Sequence, residues 1–204
     1  MPMKLHQRFL LVFPLACILV FSAGMAMGSD EGTSPASSFT RLFSESAFIT
    51  GFGSDSIPEG DYQTVLLIWH LGINLDHVFP ALKSHRGKLT FFLEPQFNPV
   101  VNPTDDYEFG VGVGFQYQYP ILEKLSLYAL GSVGPHYISV VTDDQANGFV
   151  FSDTVGAGLY FQLTDRSAIN VGYRFRHLSN ADAAEPNFGI DSHFGVIGYS
   201  VFFH

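Results

Sequence analysis

From residue 44 onward, apolar and polar positions alternate with a period of two, the spacing of a β-strand that shows different environments to its two faces. Eight such segments are predicted: 44–53, 62–75, 87–98, 107–119, 122–135, 148–163, 167–179 and 190–203. The fourth is the clearest. Phe109, Val111, Val113, Phe115, Tyr117 and Tyr119 share one face, and Glu108, Gly110, Gly112, Gly114, Gln116 and Gln118 share the other. Six large side chains from one strand would overfill the inside of a soluble barrel. Facing lipid they fit, with the tyrosines in an interfacial girdle. The third segment agrees, with Leu89, Phe91, Leu93 and Phe97 opposed to Thr90, Glu94, Gln96 and Asn98. The second is apolar on both faces at its centre, with Trp69 and His70 on opposite sides. The sixth places Asp153 in line with Phe149, Phe151, Val155, Leu159 and Phe161. A carboxylate at depth in lipid is costly, so Asp153 lies near the interface or a bulge shifts the register there.

The pattern predicts an all-β fold, an eight-stranded antiparallel transmembrane β-barrel of the outer-membrane type. A barrel of eight strands is filled by side chains and leaves no channel. Glu94, Glu108, Arg174 and Arg176 fall on inward faces and read as a lumen network neutralised by pairing, which argues against transport. With both termini periplasmic, the turns near Pro120, at Asp165-Arg166 and over 76–86 are periplasmic. The segments 54–61, 99–106, 139–147 and 180–189 are then external. Barrels of this type usually end on an aromatic residue; here His204 trails Phe203.

The start of the chain reads as a signal peptide over 1–28. Lys4, His6 and Arg8 precede an apolar run from Phe9 to Phe21, too short to span a membrane as a helix. Ala26-x-Gly28 or Gly24-x-Ala26 offers a small-residue cleavage site, and a cut near Gly28/Ser29 is favoured. Pro14 and the apolar residues beyond Cys17 disfavour a lipoprotein signal. A flexible lead over 29–43 then precedes a barrel domain over 44–204. Cys17 is the only cysteine, so disulfides play no part in the mature chain. The formal charge of −9 becomes about −11 once Lys4 and Arg8 are removed, which argues against non-specific nucleic-acid binding. No other apolar run reaches the length of a helical span.

Candidate chemistry lies at the end of segment seven. Ile169, Val171, Tyr173, Phe175, His177 and Ser179 share a face; Asn170, Gly172, Arg174 and Arg176 share the other. The first face is the lipid face, so His177 and Ser179 project side by side at the outer rim and look outward. Asp191 opens segment eight, and an antiparallel return brings it beside them. A base, a nucleophile and a carboxylate are the minimum for a serine hydrolase. A substrate reached from the membrane plane is a lipid, and the abundant lipid of a Gram-negative outer leaflet is lipopolysaccharide.

The stretch His177-Leu-Ser179-Asn180-Ala181, a short loop, then Pro186-Asn187-Phe188-Gly189-Ile190-Asp191 resembles the outer-membrane lipid A 3-O-deacylases, the PagL family. The dense match covers 173–191. The resemblance implies an integral outer-membrane enzyme whose partner is the lipid A of lipopolysaccharide in the outer leaflet. It implies hydrolysis of the ester-linked 3-hydroxyacyl chain at the 3-position, with no metal cofactor. His177, Ser179 and Asp191 would be catalytic; Asn187 and the Gly189 amide would serve the oxyanion, and Asn180 would support the loop or add a donor. The family usually carries Glu where this chain has Asp191, one methylene shorter, so the acid–His contact calls for a shifted backbone.

Blander readings stand beside these. Asp182 and Glu185 read as solvated loop acids, although either could replace Asp191 as the orienting acid. His193 is a girdle residue or a second base. His70 and Glu94 read as lumen packing, and His136, like Tyr137, as interfacial. The Gly-x-Gly-x-Gly of segment four lies within a strand and is no nucleotide loop. Asp105, Asp106, Asp143, Asp144, Asp182 and Glu185 would face the phosphates of lipid A. Divalent cations would then bridge the two, or the substrate is less phosphorylated. The alternative functions are an outer-membrane phospholipase and a non-catalytic structural or adhesive barrel. Those phospholipases also carry His-x-Ser-Asn on an outward face, but they are larger barrels that need calcium.

Overall fold

A computed structural model describes residues 43–75, 78–80 and 84–203. The expected signal peptide, nearly all of the N-terminal lead and His204 lie outside the described residues.

The alternating pattern resolves into eight antiparallel strands: β1 Glu45–Ile57, β2 Gly60–Asn74, β3 Lys88–Asn102, β4 Asp106–Leu122, β5 Leu125–Ile138, β6 Gly148–Thr164, β7 Ser167–Ser179 and β8 Ile190–Phe202. Each pairs with its sequence neighbours, and β1 pairs with β8, from Glu45↔Phe202 to Ser54↔His193. Closure leaves no free sheet edge. Strands β1, β2, β3, β4 and β6 run longer than the sequence pattern predicts. The first hairpin keeps only Pro58 and Glu59 as its turn, and β4 passes through Pro120 before turning at Glu123-Lys124. Turn signals mark where pairing can end, yet a backbone ladder continues past them while both strands remain extended.

Alternation sets inside from outside. Phe109, Phe115, Tyr117 and Tyr119 of β4 are exposed, while Glu108 and Gln116 are buried. Across the barrel the exposed large side chains include Phe52, Leu127, Val133, Phe149, Phe151, Val155 and Ile197. An apolar exterior around a polar interior is the inverse of a soluble barrel.

Two carboxylates organise the lumen. Arg174 donates to both oxygens of Glu94 at 2.7 and 2.9 Å, and His70 Nδ1 lies 2.8 Å from the same group. Arg176 donates to both oxygens of Glu108 at 2.7 and 3.0 Å. Tyr62 donates to Glu108 at 2.5 Å, and Asn98 and His136 each reach it at 3.2 Å. Glu108 thus ties β2, β3, β5 and β7 to β4. The interfacial reading of His136 is corrected here. Strand β5 continues to Ile138, and His136 faces inward in step with Ile138, 2 % exposed.

Apolar clusters fill the remainder. One, at the end that carries the 180–189 loop, comprises Ile57, Tyr62, Val100, Ile138, Val140, Val150, Leu178 and Ile190. Leu178 separates His177 from Ser179, and Ile190 separates Gly189 from Asp191. The inward residues of both strand ends are therefore anchored in a packed layer beneath the outward ones.

Candidate active site

His177 and Ser179 project outward from the last turnless stretch of β7, and Asp191 stands directly opposite His177 on β8. His177 Nδ1 lies 2.5 Å from Asp191 Oδ1, with side-chain exposures of 37 % and 56 %. A carboxylate only accepts, so Nδ1 carries the proton and Nε2 is left as the basic nitrogen. The Ser179 hydroxyl has no hydrogen-bond partner among the described residues. Alternate residues of a strand stand about 6.6 Å apart, a gap that the Ser hydroxyl and the far nitrogen of an imidazole can close by side-chain rotation.

The loop after Ser179 is tightly specified. Ala181 and Asp182 adopt consecutive left-handed conformations, with φ of 53° and 62°. Each costs roughly 1–2 kcal/mol for a residue with a Cβ. Asn180 and Asn187 hold the turn. The Asn180 amide donates to Asn187 Oδ1 at 2.7 Å, Asn180 Nδ2 donates to the Ala184 carbonyl at 2.7 Å, and Asn187 Nδ2 donates to Asp182 Oδ1 at 2.9 Å. One proton of Asn187 Nδ2 remains for another acceptor. The 139–147 loop braces the same segment: Ala146 N donates to Pro186 O and Phe188 N to Asp144 O, both at 2.8 Å, and Gln145 bridges to Asn187. Gly189 follows with φ 86° and its backbone against the His177 ring.

Two acids absent from the sequence reading of the site lie beside it. Asp153 of β6 is in register with His177, so carboxylate-bearing strands flank the imidazole on both sides. The β6–β7 register is regular at Asp153, and its place opposite a rim residue puts it near the interface, without a bulge. The break in the apolar face of β6 was the available signal. Asp55 of β1 accepts the Asp191 amide on Oδ2 at 2.7 Å. Nothing in the sequence spacing links residues 136 positions apart.

Asp182 and Glu185 are exposed loop residues, and Asp182 Oδ1 accepts from the side-chain amide of Asn187, not from His177. His193 shares a hydrogen bond of 2.5 Å with the Tyr173 hydroxyl and packs on Phe175. Asp144 has its carboxyl pushed above the usual range, first by desolvation and then by Glu59, Asp55 and Asp143. Among the described residues no group of three or more His, Cys, Asp or Glu side chains is arranged to hold a metal ion.

On the outer wall, an apolar groove of about 540 Å³ runs from His177 across β6, β5 and β4, with Phe91, Phe115, Gly131, Val155 and Phe175 among its lining. Gly131 stands between Phe115 and Val155 in register, and a Cβ there would meet nothing nearer than 4.0 Å. Its missing side chain opens the groove.

A closed eight-stranded barrel with an apolar exterior defines the class, an integral outer-membrane barrel. A model of the lipid A 3-O-deacylase (PagL) family matches residues 63–200. The chain belongs to that family, a family of enzymes. Among solved structures, the outer membrane enzyme PagL matches with a TM-score of 0.58 at 20% identity, covering 77% of this chain and 98% of that one. Neisserial surface protein A also matches with a TM-score of 0.58, at 13% identity over 78% of this chain and 96% of that one. At such identities these likenesses speak for the fold. Comparison with curated protein sequences gives no match.

Proposed function

We propose that the protein is a lipid A 3-O-deacylase working as a serine esterase, which hydrolyses the ester-linked 3-hydroxyacyl chain at the 3-position of lipid A. The observation that carries the mechanism is the 2.5 Å His177–Asp191 pair beside Ser179, on the outward face and at the mouth of an apolar groove. The family supplies the substrate class. The outward site supplies the route, since a lipid enters it from the outer leaflet without leaving the membrane.

In this reading His177 Nε2 takes the Ser179 proton as Oγ attacks the ester carbonyl. The tetrahedral intermediate collapses and expels the sugar hydroxyl, which receives that proton from His177. Water, activated by the same nitrogen, then cleaves the acyl-enzyme and releases the 3-hydroxy fatty acid. Asp191 holds the tautomer and stabilises the imidazolium that forms twice per turnover. The oxyanion is served by the spare proton of Asn187 Nδ2 and by the Gly189 amide, while Asn180 is committed to shaping the loop. Each oxyanion donor is worth about 10²–10³ in rate. The groove from His177 receives the acyl chain: it is apolar, and it begins at the base.

The test is mass spectrometry of lipid A from cells producing the parent or Ser179→Ala. The parent is expected to remove one 3-hydroxyacyl mass and the variant none, with both folded in the outer membrane. Unchanged lipid A with the folded parent would exclude the proposed activity. Equal deacylation by Ser179→Ala would exclude the serine mechanism.

A further inference from the structure

The last β1–β8 ladder pair is Ser54↔His193, so Asp191 lies beyond the reach of the β1 backbone. Its amide is nevertheless satisfied on that side, by the Asp55 carboxylate at 2.7 Å. That carboxylate is itself fixed. Its other oxygen accepts the Ser56 amide at 2.8 Å. Asp55 therefore extends the ladder by one rung with a side chain, and Asp191 is gripped twice: its backbone by Asp55, its carboxylate by His177.

We infer that Asp55 is a positioning residue of the esterase, acting through Asp191. The inference rests on the serine-esterase reading above. Aspartate has one methylene between Cα and its carboxyl group, so its reach to Nδ1 is set almost entirely by where the backbone stands. Glutamate has one more torsion and about 1.5 Å more reach, and tolerates a displaced backbone. Dependence on Asp55 is thus a consequence of the short acid at position 191 and vanishes with a longer one.

The experiment is a double-mutant cycle on the full chain in detergent micelles, reading release of 3-hydroxy fatty acid from purified lipopolysaccharide. Asp55→Ala is expected to lower kcat about tenfold with KM little changed, the pattern of a misplaced catalytic group. Asp55→Asn keeps an acceptor for the Asp191 amide and is expected to lose clearly less than Asp55→Ala. In the Asp191→Glu background, Asp55→Ala is expected to cost less than about threefold. The low-field NMR signal of the His177 Nδ1 proton gives a second readout. It should broaden or move in Asp55→Ala and return in the double variant. If Asp55→Ala does not fold, Asp55→Ser, whose hydroxyl falls short of that amide, takes its place. Equal losses in both backgrounds, a loss confined to KM, or an Asn variant as impaired as Ala would overturn the inference. Ser179→Ala runs alongside: if it turns over like the parent, the esterase reading fails and Asp55 has nothing to position.

Discussion

The Gly189 backbone lies against the His177 imidazole so closely that a Cβ would stand 2.5 Å from Cε1 and 3.2 Å from Nε2. The position also requires φ of 86°, a conformation that glycine adopts freely and other residues do not. Sterics and backbone both demand glycine at the point where the loop meets the base.

Gly189→Ala should therefore displace the ring or the loop. Since a misplacement of about 1 Å can cost about 10² in rate, kcat should fall on that order. The barrel, whose ladder lies elsewhere, should still show the altered gel mobility of a folded barrel when unheated. Wild-type turnover in this variant would mean that the imidazole works from another position.

Ala181 offers the opposite change. It holds a left-handed φ of 53° with a Cβ that disfavours it. Ala181→Gly removes that penalty, and a gain of about 1 kcal/mol is expected, reduced by the greater freedom of glycine in the unfolded chain. Urea unfolding from micelles measures it. A loss of stability would show that Ala181 makes contacts worth more than its strain.

The eight strands and their faces were legible in the sequence because lipid outside and polar groups inside impose a period of two on every strand. The same alternation placed Glu94, Glu108, Arg174 and Arg176 in the lumen, and it placed His177, Ser179 and Asp191 on one outward rim. It misassigned His136, because the predicted segment ended at 135 where the ladder in fact runs three residues further. It could not see Asp55, whose partner lies across the barrel closure. Nor could it see the brace from 139–147, since loop-to-loop contacts carry no period.

Glu108 should be the most costly lumen residue to remove. Replacing it with Ala leaves Arg176 buried without its counter-charge, together with Tyr62, Asn98 and His136. Breaking a buried pair from one side typically costs about 3–5 kcal/mol. A loss of that order is expected in urea unfolding from micelles. Glu108→Ala combined with Arg176→Met should recover part of it, because the orphaned charge is then gone. A double variant no more stable than the single one would show that the lost hydrogen bonds, and not the unpaired Arg176, set the cost.

Gly131 tests the groove separately from the chemistry. It touches neither Ser179 nor Asp191, and its absent side chain leaves open space between Phe115 and Val155. Gly131→Phe would place a ring in that space without disturbing the backbone, since a Cβ there meets only Thr154 O at 4.0 Å. If the acyl chain lies in the groove, kcat/KM should fall steeply for long 3-hydroxyacyl esters and little for short ones. Assays over a series of chain lengths decide it. A loss independent of length would mean that the chain leaves His177 by another path along the wall, and the groove would lose its role as the acyl site.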